Sequence, residues 1–183
     1  MMVTSYAGAI RLVLFDVDGV LTDGALHIGA DGEVFKSFNA KDGVAVALLR
    51  AHGIRSGIIS GKASAALDYR TRQLKCDLAV NGCHDKLAAY AEIKRELALE
   101  DAQIVFVGDD VIDLPVMQRV GLSYAPADAH SLVLGLACHV TRAMGGQGVA
   151  REVAEHLLML DGLCLEAAYQ PLLAEWSSHD AQQ

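Results

Sequence analysis

Six short apolar runs recur along the chain, at Ile10 to Phe15, Ile54 to Ser60, Leu78 to Val80, Ile104 to Gly108, Leu122 to Ala125 and Cys138 to Thr141. Between them lie longer stretches with helical spacing, near Asp42–His52, Ser64–Lys75, Asp85–Leu99, Asp113–Val120, Asp128–Leu136 and Val149–Leu160. Short strands alternating with helix-length segments predict a doubly wound, mostly parallel α/β sheet of the Rossmann-like kind. In such a sheet ligands bind beyond the carboxyl ends of the strands. The first run ends in Asp16-Val17-Asp18-Gly19, so two carboxylates are delivered to that rim. Residues i and i+2 of an extended segment share a face, and Gly19 lets the chain turn sharply away.

With 183 residues the chain is read as one domain spanning residues 1–183, able to bury a core without staples. Segment 24–38 breaks the rhythm: Ala25 to Ile28, the turn Gly29-Ala30-Asp31-Gly32, and Glu33 to Phe38 read as an inserted β-hairpin. An isolated hairpin is marginal in water, so this one is expected to pack on its own domain or on another subunit. The tail, residues 161–183, is expected to hold one or two amphipathic turns and a frayed polar end.

Fifteen basic against 23 acidic residues give a net charge of −8, which repels nucleic acid and anionic membranes. A phosphorylated substrate therefore needs a local positive pocket or a metal. Cys76, Cys83, Cys138 and Cys164 lack zinc-ligand spacing and read as reduced, and no apolar run is long enough to span a bilayer. These features together predict a soluble cytoplasmic protein.

Other strand ends add complementary groups. Ser60 closes the second run, Lys86 opens the helix after Asn81 to Asp85, and Gly108-Asp109-Asp110-Val111-Ile112-Asp113 closes the fourth run. Carboxylates, a hydroxyl and an ammonium at one sheet edge suit phosphoryl transfer. Asp16 and Asp109 brought together repel unless a cation lies between them, and a hard-oxygen set without histidine or cysteine favours Mg2+. A carboxylate can then attack the phosphoryl group, with Asp18 as general acid and then base and Ser60 and Lys86 holding phosphate oxygens. Asp110 and Asp113 stand behind these, Asp113 orienting Lys86 or a metal-bound water.

In order and spacing, D-x-D-G-V-x-T, the strand-final serine, the isolated lysine and G-D-D-x-x-D resemble the haloacid dehalogenase-like phosphohydrolases over about Ile10 to Leu160. The hairpin in place of a cap domain, Asn39-Ala40-Lys41-Asp42-Gly43, Gly145-Gly146-Gln147-Gly148 and Ala150-Arg151-Glu152 are similar to the capless subgroup of 3-deoxy-D-manno-octulosonate 8-phosphate phosphatases. That resemblance implies Asp16 as nucleophile, Asp18 as acid and base, and metal ligation by Asp16, the Asp18 main-chain carbonyl and Asp109. It also implies substrate contacts at Asp18, Asn39, Ala40, Lys41, Asp42, Gly43, Lys62, Arg70 and Lys86, and a homotetramer whose subunits cap one another's sites. Ala47 and Lys62 stand where the subgroup carries a basic residue and an arginine. Phosphatases of nine-carbon ulosonate 9-phosphates, and low-activity assembly domains associated with cytidylyltransferases, stay open beside the eight-carbon substrate.

A receiver-type signalling domain also gathers aspartates, a hydroxyl and a lysine at a sheet edge. The order here is different, with Asp-x-Asp first and the second acid cluster late. Asp18 moreover gives an aspartyl phosphate a built-in hydrolytic base, which a signal-storing domain lacks.

Overall fold

The computed structural model describes residues 6–180, with side chains to residue 178; the expected frayed end at residues 181–183 lies outside the described residues. Strands β1 (Leu12–Phe15), β4 (Arg55–Ile59), β5 (Leu78–Val80), β6 (Ile104–Val107), β7 (Leu122–Ala125) and β8 (His139–Val140) form one parallel sheet in the order β5-β4-β1-β6-β7-β8. The chain builds outward from β1 through β4 to β5, then returns to the other side of β1 as β6. That reversal opens a crevice at the carboxyl end of β1, between its two neighbours.

Every residue of β1 and β6 is buried, which explains their unbroken apolar runs. Alternate side chains serve opposite layers. Val13 and Phe15 join a core with Leu48 and Leu49 of α1 (Ala40–Ala51) and Val153 and Leu157 of α6 (Val149–Leu160). Leu12 and Leu14 join a second core with Tyr90 and Ile93 of α3 (Lys86–Glu96), Val116 and Met117 of α4 (Leu114–Met117) and Val133 of α5 (Ser131–Leu136). Each such side chain, fully buried, contributes about 1.5–3 kcal/mol.

Helix starts follow local chemistry: Asn39 caps α1, Ser64 caps α2 (Ala65–Leu74), and Asp85 caps α3. The expected helices at 113–120 and 128–136 are shorter than their apolar spacing suggests. The first begins as a single 3-10 turn, Val111–Asp113, before α4, because Asp110 and Asp113 bond the backbone there. The tail corrects its expectation more strongly, forming the 16-residue helix α7 (Leu165–Asp180) despite Pro171 inside it. Leu163, Ala168 and Leu172 bury their side chains in the α1/α6 core, and the Ala168 carbonyl accepts from His52 Nε2 at 2.7 Å. Tertiary packing outweighs the proline. No single helix among the described residues is long and apolar enough to cross a membrane.

The expected hairpin is present, with β2 (His27–Gly29) paired antiparallel to β3 (Gly32–Phe35) and the His27 and Phe35 rings stacked at 4.0 Å.

Candidate active site

Beyond β1 the backbone winds so that the amides of Val20, Leu21 and Thr22 all donate to the Val17 carbonyl, at 3.2, 2.9 and 3.0 Å. The Asp16 amide donates across to the Val107 carbonyl of β6 at 2.9 Å, which fixes Asp16 beside the β6 terminus. There Asp16, Asp109 and Asp113 each present an oxygen, all within 4.8 Å of one another. Lys86, at the first turn of α3, reaches into this group and lies 2.8 Å from Asp16 Oδ1 and 2.6 Å from Asp113 Oδ1.

Asp113 is fully buried and wholly engaged. Its Oδ1 accepts from Lys86, and its Oδ2 accepts from the Asp109 and Asp110 amides at 3.0 and 3.4 Å. It ties the β6 loop to the lysine. Asp109 is the opposite case, since its Oδ1 is buried with no partner. Burial, and then the charge of Asp113, push Asp16 up to about 6 despite Lys86. Burial, then Asp16 and Asp113, push Asp109 up to about 8. Burial works against the Lys86 ammonium, but Asp16 and Asp113 outweigh it and raise its pKa. A buried oxygen without a donor, beside carboxylates whose pKa values burial and mutual repulsion raise, fits a hard divalent cation. Asp109, with its unpartnered Oδ1, and Asp16, which shares its carboxylate with Lys86, are the residues placed to hold one.

The cleft over these groups has a volume of about 480 Å³ and is also lined by Asp18, Lys62, Asp110, His84 and Leu26. Asp16, Asp18, Lys62, Lys86 and Asp109, read from separate stretches of sequence, therefore share one site. Ser60 is buried behind Gly61, its hydroxyl donating to the Lys62 carbonyl at 3.1 Å and accepting from the Lys62 amide at 3.3 Å. In this structure it shapes the turn that carries Lys62.

A family model described as haloacid dehalogenase-like hydrolase matches residues 69–153. Over 170 residues the chain is 40% identical to the 3-deoxy-D-manno-octulosonate 8-phosphate phosphatase KdsC of Escherichia coli K12, covering 93% of this chain and 90% of that protein. The chain belongs to the KdsC family of haloacid dehalogenase-like hydrolases. Its fold matches the Yersinia pestis 3-deoxy-D-manno-octulosonate 8-phosphate phosphatase with a TM-score of 0.82 at 41% identity, over 88% of this chain and 85% of that one. The Moraxella catarrhalis phosphatase, solved with magnesium, phosphate and KDO, matches with a TM-score of 0.79 at 31% identity, over 84% and 87%.

The remaining family positions of this hydrolase lie outside the Asp16 cleft. Asn39 and Ala40 line an adjoining cleft with Asp23 and Gly145 to Gln147. Asn39 Nδ2 also donates to the Gly146 carbonyl at 3.1 Å, linking α1 to the glycine loop before α6. Lys41 is exposed, and its side chain runs past Gly148. Asp42 is buried against the Ala150 and Arg151 amides at the start of α6 without closing a well-formed hydrogen bond, and burial lifts it to about 6. Gly43 lies against Leu74 and Arg70, and Arg70 Nη2 donates to the Asn39 carbonyl at 2.9 Å while its guanidinium stands over Phe38. Ala47 faces a groove shared with Arg50, Gln73 and Trp176, so within one chain a longer side chain there points away from Asp16.

Sequence reading passed over Lys36. Its side chain is 1% exposed, with Nζ 2.5 Å from Asp18 Oδ1 and 2.9 Å from Glu33 Oε2. Burial lowers the affinity of this lysine for its proton, and the two carboxylates more than offset that. The only signal was a lysine just past the end of a short strand that also carries Glu33, which by itself reads as an edge charge.

Proposed function

We propose that this hydrolase removes phosphate from a sugar-acid phosphate monoester, 3-deoxy-D-manno-octulosonate 8-phosphate, with Mg2+ held by Asp16, Asp109 and the Asp18 main-chain carbonyl. The observation that carries this reading is the Lys86 ammonium bridging Asp16 and Asp113 beside the unpartnered Asp109 oxygen, in a chain 40% identical to KdsC. Bound Mg2+ supplies positive charge that lowers the repulsion between a carboxylate and a phosphate dianion.

The chain's own groups then divide the work. Asp16 attacks phosphorus through one carboxylate oxygen, displacing the sugar hydroxyl and forming an aspartyl phosphate. Asp18, two residues on and 22% exposed toward the cleft, gives a proton to the departing oxygen. It then takes a proton from the water that attacks the aspartyl phosphate, which regenerates Asp16. Lys86 spends two of its three donors on Asp16 and Asp113, leaving one for a phosphate oxygen. Lys62 offers a second, exposed cation at the rim.

Asn39, Ala40, Lys41, Asp42, Gly43 and Arg70, outside the Asp16 cleft of the single chain, are assigned to substrate contacts completed in a homotetramer whose subunits cap one another's sites. The hairpin supports that assembly, because Leu26, Ile28, Val34 and Phe35 are 45–66% exposed in the single chain. Four free cysteines support a reducing, cytoplasmic setting.

The test is phosphate release with Mg2+ from the eight-carbon and nine-carbon ulosonate phosphates and from ordinary hexose phosphates. The eight-carbon ester is expected to turn over fastest, and Asp16→Asn to remove at least about 1,000-fold of the rate with the fold intact. A faster nine-carbon ester overturns the substrate. Uniformly feeble rates favour an assembly role, and an active Asp16→Asn overturns the mechanism.

A further inference from the structure

The two acids of Asp16-Val17-Asp18 each have a buried lysine of their own, delivered by different elements. Lys86 arrives on α3 and engages Asp16; Lys36 arrives on the hairpin and engages Asp18. Lys36 is in turn held by Glu33, whose second oxygen accepts from the hydroxyl of Ser64, the residue that caps α2. Four side chains thus run in series from the loop after β1, through the hairpin, to the start of α2.

Resting on the function proposed above, we propose that Lys36 is a positioning residue for Asp18, so that the hairpin supplies in cis the part of the site that handles the leaving group. Among the described residues, Lys36 is the one side chain whose hydrogen bond holds the Asp18 carboxylate. An aspartate without that tie samples several rotamers, and misplacement of a reacting group by about 1 Å can cost about 100-fold in rate. Stability alone does not account for the lysine. Taking an ammonium to 1% exposure carries a desolvation cost that an ion pair roughly repays, so a well-packed apolar side chain would serve the fold equally well. The Glu33–Ser64 link restrains Lys36 from the side away from Asp18, which sets its position before any substrate arrives.

The experiment compares Lys36→Met, Lys36→Arg, Asp18→Asn and the Lys36→Met/Asp18→Asn double variant in intact Mg2+-loaded protein. Substrates are the eight-carbon ester and p-nitrophenyl phosphate, whose leaving group needs no proton. For Lys36→Met, kcat on the sugar ester is expected to fall about 30–100-fold with KM changed less than about threefold, and the fall on the aryl ester is expected to be smaller. Lys36→Arg should recover part of the loss. The double variant should be no more than about twofold slower than Asp18→Asn, because the lysine acts through that carboxylate. A kcat within about threefold of native, a loss carried only by KM, or losses that multiply in the double variant each overturn the inference.

A crystal structure of Lys36→Met adds a readout that needs no substrate. Asp18 turned away or split between conformers is expected, and an Asp18 carboxylate left in place overturns the inference. Should native protein hydrolyse only the aryl ester, the substrate assignment fails, while the double-variant comparison on that ester and the crystal structure still decide the role of Lys36. Lys36→Gln replaces Lys36→Met in every comparison if the latter does not fold.

Discussion

At Gly19 the backbone turns at φ +89°, and a Cβ built there would come within 2.0 Å of an Asp109 carboxylate oxygen. The glycine thus meets two demands, a left-handed turn after β1 and close approach of the β6 carboxylate to the β1 loop. Gly19→Ala is expected to cost about 1–3 kcal/mol through backbone strain and to weaken Mg2+ binding about 10–100-fold by moving Asp109. Denaturant unfolding and a Mg2+ titration check both; native-like metal affinity in the variant would show that Asp109 does not hold the ion. This residue and the acids around it were legible in sequence because strand ends converge on one edge of a parallel sheet whatever the lengths of the intervening helices. Lys36 was not legible, since its role depends on how far a hairpin folds down. Neither was the engagement of Ser60 with the Lys62 backbone, which depends on the path of a three-residue turn.

The hairpin is an element whose two faces answer to different partners. Toward its own chain it contributes Glu33 and Lys36, both polar and both engaged. Outward it shows Ile28 and Val34, each 66% exposed, an apolar surface that two short strands cannot cover themselves. Pairing with hairpins of other subunits is the cover proposed here. Ile28→Glu combined with Val34→Lys is therefore expected to shift the protein to monomer, read by light scattering, with the melting cooperativity of the α/β body retained. Assembly unchanged by both charges would move the interface elsewhere. Sequence placed this element well, because a glycine turn between apolar strands is a local signal. The tail was harder: a proline inside a helix is locally unfavourable, while the burial of Ala168 and Leu172 depends on α1, more than a hundred positions away, as well as on nearby α6.

For the molecule as a whole, the charge gathered at the sheet edge sets how stability responds to pH. Asp16 at about 6 and Asp109 at about 8 lie above the ordinary carboxylate value near 4, so the folded protein holds protons that the unfolded chain has released. Where the folded state binds more protons, stability falls as pH rises. In metal-free protein the loss should run from about pH 4 to about pH 8 and then level off. Mg2+ favours the ionised carboxylates, so its stabilising increment is expected to be small at pH 5 and to grow toward pH 8. Asp42, lifted to about 6 at the start of α6, adds a metal-independent loss of the same sign between about pH 4 and 6. Asp42→Asn separates the two contributions: unfolding curves of that variant should be flatter below pH 6, with the Mg2+ increment at pH 8 unchanged. A Mg2+ increment that is equal at every pH would mean that the ion is not held by the proton-bearing pair Asp16 and Asp109, and that the raised values at the sheet edge report burial alone.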